Sequence, residues 1–391
     1  MIDLLLSAIE QLRVKSPDKF VYEQPVTPQR LIHEITASIP LNNTKSILVL
    51  FTVEWALYLR DIGFTNVIVA ADNDPIIAKA CLVFGLQYQD LAEIEKNKMK
   101  FDVVVGNPPY VANNAKIYQH FYNRAVNLLT NNGLIAFVAP FAISRGFIGK
   151  KVGDVKLSCQ NLMVLNVNNI RDTYFPSVGI DNICYVIAGV NYTGHATVVT
   201  AEGQYVLDVN NLPLIPVKFN NNTLSIAEKC FDNNRNYFRR SNFHKKTSKE
   251  NINGSTFVIT KIDKDMSVCG YYIDAEVTAM TGKPRVFINT LGKRAIVDYT
   301  HSMVMKPNGS MICIETSSDL ESENLVFLLQ NNHKLIDFMC SFITGSSRSP
   351  YDTFLLNLKK LDLSMQWTPG MLYKYFGLTQ KEIELIESTV K

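Results

Sequence analysis

The sequence has 391 residues, of which 47% are hydrophobic and 19% are charged, and its formal net charge is +3. At about 100–200 residues per domain, this length predicts two globular domains, each with enough apolar material for a core. The small net charge excludes a polycation, so an anionic partner must be bound by a local basic patch.

Several sequence signals concern the environment of the chain. No apolar run reaches the roughly 18 residues of a membrane helix, so we expect no membrane partner. The apolar start, residues 1–6, lacks a basic leader and a small-residue cleavage site, which predicts a short helix rather than a signal peptide. The seven cysteines are scattered and the six histidines stand singly. This pattern predicts a reducing, cytoplasmic environment and no protein-bound metal.

The first half of the chain alternates short apolar runs with helical patterns. Strands are predicted over 47–51, 67–70, 102–105 and 134–138, and helices over 55–63, 75–84 and 118–129, with 131–133 as the stop of the last helix. Continuously apolar strands separated by helices are typical of an α/β fold with a doubly wound parallel sheet. Two later strands, over 163–167 and 183–188, follow each other closely and predict antiparallel additions at one edge of the sheet.

The second half begins with a change in composition. Residues 219–223 are polar and turn-rich, and residues 235–249 contain six basic side chains and no acidic one. We therefore predict a first domain over 1–225, a basic linker over 226–249 and an α+β domain over 250–391.

The most informative segment is the tetrapeptide Asn107-Pro108-Pro109-Tyr110, which directly follows a predicted buried strand. Ligands of doubly wound sheets bind outside the carboxyl ends of the strands, so the tetrapeptide lies where a site is expected. Its prolines lack N–H groups and expose backbone carbonyls. The Asn107 side-chain oxygen and the Pro108 carbonyl could accept hydrogen bonds from both N–H groups of an aromatic amine, while Tyr110 offers a stacking face. A proline-capped turn without chemistry is the alternative.

This segment resembles the γ class of N6-adenine DNA methyltransferases, the type found in bacterial and phage restriction-modification systems. The resemblance implies an S-adenosylmethionine (SAM)-dependent methyltransferase sheet as catalytic domain over 1–225 and a DNA target-recognition domain over 250–391. The implied reaction transfers a methyl group from SAM to the amino group of an adenine flipped out of DNA. The resemblance assigns Asn107, Pro108, Pro109 and Tyr110 to catalysis. It also assigns Phe175, within the segment 174–179, to stacking on the flipped base, with a core position as the alternative.

The resemblance also implies a SAM site assembled from several blocks. Thr27 and Pro28 match the segment that contacts the methionine part of SAM, and Asn107 borders the same site. Asp72 matches the carboxylate that binds the ribose hydroxyls, and Asp74 is the second candidate for this contact. Helix capping is the alternative role for this acidic pair, and we expect it of Asp74 in particular.

Two further cofactor contacts are less regular. Asp90 matches the loop residue that accepts from the adenine amino group of SAM, with a solvated loop as the alternative. The block after the first strand, 50–56, departs from the family because it contains no glycine. We expect Phe51 to pack on the cofactor and Glu54 to replace the missing acid. The alternative is that cofactor binding is weakened or lost.

The resemblance implies double-stranded DNA as a partner, contacted by basic loops. Segments 277–288 and 345–351 resemble recognition-domain loops, and the basic segment 235–249 is a further candidate, with a solvated linker as its alternative. The candidate residues are Arg239, Arg240, Lys245, Lys246, Lys283, Arg285 and Arg348. A cognate restriction endonuclease on a separate chain is a second expected partner, and the enzyme is expected to act as a monomer.

Other functions are compatible with the same tetrapeptide. The acceptor could be an RNA base, the N4 atom of cytosine or a protein glutamine, although the roughly 150 residues after the junction favour DNA. Cytosine N4 enzymes more often carry serine at the position of Asn107. A catalytically inactive DNA-binding relative is a rival from a different class, and SAM binding would distinguish it.

Overall fold

The structure is a computed structural model. It describes residues 26–112, 115–116, 118–141, 143, 162–176, 183–208, 212, 215–216, 218–232, 256–273, 282–289, 294–305, 311–344, 354–355 and 357–390. The chain divides into two compact units, Met1–Leu212 and Pro213–Lys391. This division lies earlier than the predicted end of the first domain at residue 225. The predicted linker starts inside a helix, because residues 226–230 belong to α7 of the second unit.

The first unit is built around a nine-stranded sheet. Its strands are β1 (Ile47–Leu50), β2 (Val67–Ala71), β3 (Gln87–Asp90), β4 (Phe101–Gly106), β7 (Leu129–Pro140), β8 (Leu162–Asn166), β9 (Ile183–Gly189), β10 (Ala196–Thr200) and β11 (Gly203–Leu207). The described helices are α1 (Gln29–Ala37), α2 (Glu54–Asp61), α3 (Pro75–Phe84), α4 (Leu91–Lys96), α5 (Tyr118–Asn127) and α6 (Ile170–Tyr174). Two short strands, β5 (Val111–Ala112) and β6 (Ala115–Lys116), pair with each other outside the sheet.

The strand order is β11-β10-β8-β9-β7-β4-β1-β2-β3. Five neighbouring strands of this sheet, β7-β4-β1-β2-β3, are parallel. Strands β1 and β2 are buried along their whole length. Such strands need helices on both faces, which explains their continuously apolar sequences. The predicted α/β doubly wound sheet is therefore confirmed.

The order of the strands also locates the expected site. The chain moves outward from β1 to β3 and then returns to β4 on the other side of β1. In an open α/β sheet, a ligand binds in the crevice where the strand order reverses, at the carboxyl ends of the strands. That crevice lies here between the carboxyl ends of β1 and β4.

Several local predictions need correction. The predicted helix stop at 131–133 is wrong, because these residues lie inside β7, where the pairing with β4 shifts register. The residues around Asp90 form β3 and the start of α4 instead of a loop. The two later strands do pair antiparallel, and β9 inserts between β7 and β8.

The second unit is mixed in structure. Its described strands are β12 (Thr256–Ile262), β13 (Val268–Ile273), β14 (Arg285–Asn289), β15 (Ala295–Val297), β16 (Val304–Met305) and β17 (Met311–Glu315), which form two three-stranded sheets. Its described helices are α7 (Asn221–Cys230), α8 (Asp319–Asn331), α9 (His333–Phe338, continued by a π-helical turn over Met339–Thr344), α10 (Pro369–Tyr375) and α11 (Gln380–Thr389). An apolar cluster that includes Ile259, Phe287 and Met311 joins strands of both sheets. No helix in the described ranges has the length and apolar content that crossing a membrane requires.

Candidate functional site

The candidate site lies at the edge of the sheet where the parallel strands end. Phe51 follows β1, Asp72 follows β2, Asp90 ends β3 and Asn107 follows β4. Because these four strands are parallel, their carboxyl ends lie at the same edge. The residues that the sequence selected for chemistry and for cofactor binding therefore share one edge of the first unit.

The Asn107 amide is fully buried and is held at both ends. Its Nδ2 donates a hydrogen bond of 3.3 Å to Thr27 Oγ1, and its Oδ1 accepts one of 2.8 Å from the Tyr110 hydroxyl. These bonds orient the amide oxygen toward an O–H donor. Burial raises the pKa of the Tyr110 hydroxyl well above its usual value, so this phenol stays protonated and remains a donor at neutral pH.

A short chain of hydrogen bonds connects Asn107 to the block after β1. The Thr27 backbone N–H donates to Glu54 Oε1 at 2.6 Å, and the Val53 N–H donates to Glu54 Oε2 at 3.0 Å. Glu54 is buried and opens α2. The structure thus brings together four predicted site residues, Thr27, Glu54, Asn107 and Tyr110. Glu54 uses its carboxylate to hold two backbone N–H groups, and Pro28 precedes the first residue of α1.

Strands β1 and β4 approach each other closely at this edge. A Cβ atom at Gly106 would lie 2.6 Å from the Leu50 carbonyl oxygen, so only glycine fits there. The next residue of the β1 block, Phe51, adopts a φ of 62°. This left-handed conformation is the one that a glycine would adopt without strain, and in phenylalanine it costs about 1–2 kcal/mol. The block without glycine therefore still makes a tight turn, and the ring centroids of Phe51 and Phe121 lie 4.5 Å apart.

Asp72 belongs to a separate ion-pair cluster. Arg124 of α5 donates from Nη1 to Asp72 Oδ2 at 2.6 Å and from Nη2 to Asp72 Oδ1 at 2.8 Å. The same guanidinium donates to Glu95 at 2.7 and 2.9 Å. Burial by itself lowers the pKa of Arg124, but the hydrogen bonds to Glu95 and Asp72 raise it above its usual value.

The other two predicted cofactor carboxylates begin helices. Asp74 caps α3, where its Oδ1 accepts from the Ile76 N–H at 3.0 Å and from the Ile77 N–H at 3.1 Å. Asp90 caps α4 and also accepts from the Asn73 N–H at 2.9 Å. The expectation that Asp74 caps a helix is confirmed. Asp90 ties the turn after β2 to the end of β3, which a solvated loop residue would not do.

Phe175 follows α6, and its ring is buried, with 3% of the residue exposed. The preceding Tyr174 donates from its hydroxyl to Glu34 at 2.9 Å, and Tyr185 and Asn166 donate to the same carboxylate at 3.1 and 2.8 Å. Glu34 therefore ties α1 to the strands and the helix that position Phe175. In this structure Phe175 occupies a core position.

The predicted DNA contacts fall into two groups. Arg239, Arg240, Lys245, Lys246 and Arg348 lie outside the described residues. Lys283 is largely exposed and lies 3.3 Å from Glu315. Arg285 is buried, and its Nε donates to the buried Asp298 at 2.8 Å. The charge of Arg285 therefore does not face solvent in this structure. Sequence alone could not distinguish these neighbours, since both are basic residues of the same predicted loop.

Three residues of the site had not been selected from the sequence. Arg124 contacts Asp72, Glu95 contacts Arg124, and Thr52 lies in the block after β1. The Thr52 hydroxyl is buried and has no hydrogen-bond partner among the described residues. The one available signal for Arg124 was its place three residues after Phe121 on the helix that follows the tetrapeptide.

Comparison with known proteins gives one family match. Residues 79–165 match the family described as Eco57I restriction-modification methylase. This stretch contains the tetrapeptide, so over it the chain is similar to a methylase of restriction-modification type. No curated protein matches the sequence.

Several solved structures align with parts of the chain. A chain of a type I restriction-modification system aligns at 13% identity, with a TM-score of 0.37, over 51% of this chain and 48% of its own. A Listeria monocytogenes protein described as a class I SAM-dependent methyltransferase aligns at 12% identity (TM-score 0.35, 50% and 72% coverage). A dimethyladenosine transferase from Plasmodium falciparum aligns at 16% identity (TM-score 0.30, 42% and 63% coverage). The chain spans about half the length of the first of these, and similarity at this level says nothing about substrate.

Proposed function

We propose that this chain is a SAM-dependent methyltransferase that acts on the N6 amino group of adenine in double-stranded DNA. One observation carries the proposal: the buried Asn107 amide, at the end of β4, directs its oxygen toward an O–H donor while Thr27 accepts from its nitrogen. An amide held in this way is preorganised to accept a hydrogen bond from an amino group that replaces the Tyr110 hydroxyl. The match over 79–165 supports the methyltransferase class.

The residues of the tetrapeptide act on the acceptor nitrogen. The lone pair of an aromatic amine is delocalised into the ring, so the nitrogen is a poor nucleophile. Hydrogen bonds to the Asn107 oxygen and to the Pro108 carbonyl favour a tetrahedral nitrogen whose lone pair is available for the methyl group. Much of the rate then comes from alignment of the reacting atoms. The proton leaves the nitrogen after transfer, and no strong general base is required.

The residues at the ends of β1 and β2 fit an adenosyl cofactor. The buried Thr52 hydroxyl lacks a partner among the described residues, and Gly106 allows the backbones of β1 and β4 to approach closely beside it. Asp72 is a carboxylate at a strand end, the position that suits ribose hydroxyls. SAM would supply an electrophilic methyl group. Thr27, Thr52 and Asp72 are the residues of this chain that would hold SAM.

The second unit is the proposed target-recognition domain, and double-stranded DNA is the proposed partner. A flipped adenine requires unstacking and a pocket that holds the base, for which Tyr110 and Phe175 are the candidate aromatic side chains. Both are buried in the present structure, so stacking on a base requires their exposure. A single flipped base needs one site, which suits a monomer. A restriction endonuclease on a separate chain is the proposed second partner.

The experiment that tests this function measures transfer of a labelled methyl group from SAM to unmethylated bacterial DNA, followed by nucleoside analysis. We expect N6-methyladenine from the natural protein. Asn107→Ala should lower transfer by orders of magnitude while SAM and DNA still bind, because only the alignment of the acceptor is lost. Near-normal turnover of Asn107→Ala would refute the assigned role, and label in RNA or protein would identify a different amino acceptor.

A second candidate is a DNA-binding relative without catalysis. The observation that favours it is that the carboxylates of Glu54, Asp72, Asp74 and Asp90 all have partners within the protein. This candidate predicts no SAM binding. Isothermal titration of the protein with SAM distinguishes the two functions before any DNA is added.

A further inference from the structure

The contact between Arg124 and Asp72 has a geometry that bears on cofactor binding. The two terminal nitrogens of the guanidinium each bond one oxygen of Asp72, at 2.6 and 2.8 Å. Such a fork occupies the two lone pairs of the carboxylate that point in the same direction. A pair of neighbouring ribose hydroxyls that binds a carboxylate through both oxygens would use the same two lone pairs.

We infer that Arg124 is an intramolecular competitor of the cofactor ribose for Asp72. This inference rests on the proposed function, because it assumes that Asp72 binds the ribose of SAM. In the structure described here Asp72 presents its convergent face to Arg124. A ribose that takes both oxygens must therefore displace the guanidinium from Asp72.

Glu95 makes this displacement possible at moderate cost. Arg124 donates to Glu95 from Nε at 2.7 Å and from Nη2 at 2.9 Å, and Nη2 also donates to Asp72, through its other hydrogen. The Arg124 side chain is 15% exposed, so loss of every anionic partner would leave a largely buried cation. With Glu95 retained, Arg124 keeps one charge-assisted pair while Asp72 is released. Glu95 thus allows Arg124 to release Asp72 and still keep one anionic partner.

The effect extends to the block after β1. Arg124 lies over the Phe121 ring, 5.7 Å from its centroid, and Phe121 packs against Phe51. Phe51 is the residue with the left-handed backbone. The ribose carboxylate and this turn are connected through α5.

The competition predicts opposite effects for two substitutions. Arg124→Gln removes the fork, so binding of SAM should tighten by about tenfold. Glu95→Gln removes the alternative anion, so Arg124 stays on Asp72 and SAM binding should weaken by a similar factor. If Arg124 and Glu95 merely positioned Asp72, both variants would bind SAM more weakly than the natural protein. Arg60→Gln is the matched control, because Arg60 is 43% exposed and lies 3.7 Å from its nearest carboxylate partner, Asp61.

The experiment is isothermal titration of the four proteins with SAM and with S-adenosylhomocysteine, after thermal melting has verified that each is folded. S-adenosylhomocysteine has the same ribose but no sulfonium charge, so competition at Asp72 shifts both affinities by the same factor. A shift confined to SAM, or binding of Arg124→Gln that is unchanged or weaker, would overturn the inference and leave the proposed function intact. Absence of binding to all four proteins would instead overturn the proposed function, and the inference with it.

Discussion

At the scale of single residues, the chemistry depends on how side chains are held. The Asn107 side-chain oxygen accepts a hydrogen bond of 2.8 Å from the Tyr110 hydroxyl. The amide cannot rotate freely, because Thr27 accepts from its nitrogen and the whole residue is buried. In the proposed reaction, the acceptor amine would meet an oxygen that is already oriented, which would lower the reorganisation energy of the methyl transfer.

Substitution of Asp74, the second acid after β2, separates the two predicted roles of the acidic pair, which are ribose binding and helix capping. Asp74→Ala should lower the free energy of unfolding by about 1 kcal/mol, because the N–H groups of Ile76 and Ile77 lose their cap. Its affinity for SAM should stay within about twofold of the natural protein. Urea denaturation and titration with SAM measure the two quantities.

Asp61→Ala is the control for this substitution, since Asp61 is half-exposed and lies in the last turn of α2. Both the stability and the affinity of this variant should be unchanged. If Asp74→Ala abolished SAM binding without loss of stability, Asp74 would be the ribose carboxylate and the role proposed for Asp72 would be wrong.

At the scale of elements, the close approach of β1 and β4 shapes the site. Gly106→Ala would place a Cβ atom 2.6 Å from the Leu50 carbonyl oxygen, so one strand must move. We expect a loss of about 1–3 kcal/mol in stability and a larger relative loss of methyl transfer, because Asn107 follows directly. Thermal melting and the methyl-transfer assay measure these effects.

Gly370→Ala is the matched control for the glycine substitution. Gly370 lies in α10, and a Cβ atom there would meet nothing within 4 Å. Alanine should stabilise this helix by about 0.5–1 kcal/mol. Equal stability losses in the two glycine variants would show that the contact with Leu50 is unimportant.

The elements of the sheet were largely predictable, because buried parallel strands have continuous apolar runs. The predicted bounds of α3, 75–84, agree with the structure, since Pro75 and Gly85 mark its ends. β3 was missed because its sequence, Gln87–Asp90, is polar at the sheet edge. The predicted stop at 131–133 failed because pairing with β4 continues across an irregular register, a tertiary effect with no local signal.

At the scale of the whole molecule, buried tyrosines limit stability at high pH. Burial raises the pKa of Tyr185 to about 12 from its usual value of 10.0. The folded protein therefore holds this proton more tightly than the unfolded chain, and the stabilisation is complete below pH 10 and is lost as pH rises toward 12. We expect urea denaturation to show a stability lower at pH 11 than at pH 9, by about 1 kcal/mol for each such group.

Tyr185→Phe should reduce this difference between the two pH values. Tyr375→Phe is the control for loss of a hydroxyl, because Tyr375 is half-exposed and its hydroxyl donates to the Lys360 carbonyl at 2.6 Å. The same stability at pH 9 and pH 11 in the natural protein would contradict the assignment of buried phenols.

The basic segment 235–249 is expected to contact DNA through phosphates. If it does, Lys245→Gln combined with Lys246→Gln should reduce the slope of log affinity against log salt by about two. Lys79→Gln with Lys98→Gln is the control, since both of these lysines are exposed in the first unit. Fluorescence anisotropy with a duplex at several salt concentrations measures the slope, and equal slopes in both double variants would make the segment a solvated linker.

The sequence by itself determined the alternation of strands and helices and the position of the tetrapeptide after β4, because both follow from local apolar patterns and proline chemistry. It also indicated that Asp74 caps a helix or supports the turn, and the structure shows the cap. Only the tertiary structure decided which acids have partners: Asp72 is bound by an arginine on a distant helix, and Arg285 is buried against Asp298. These pairings depend on side chains that are far apart along the chain and meet only when the sheet and its helices have packed.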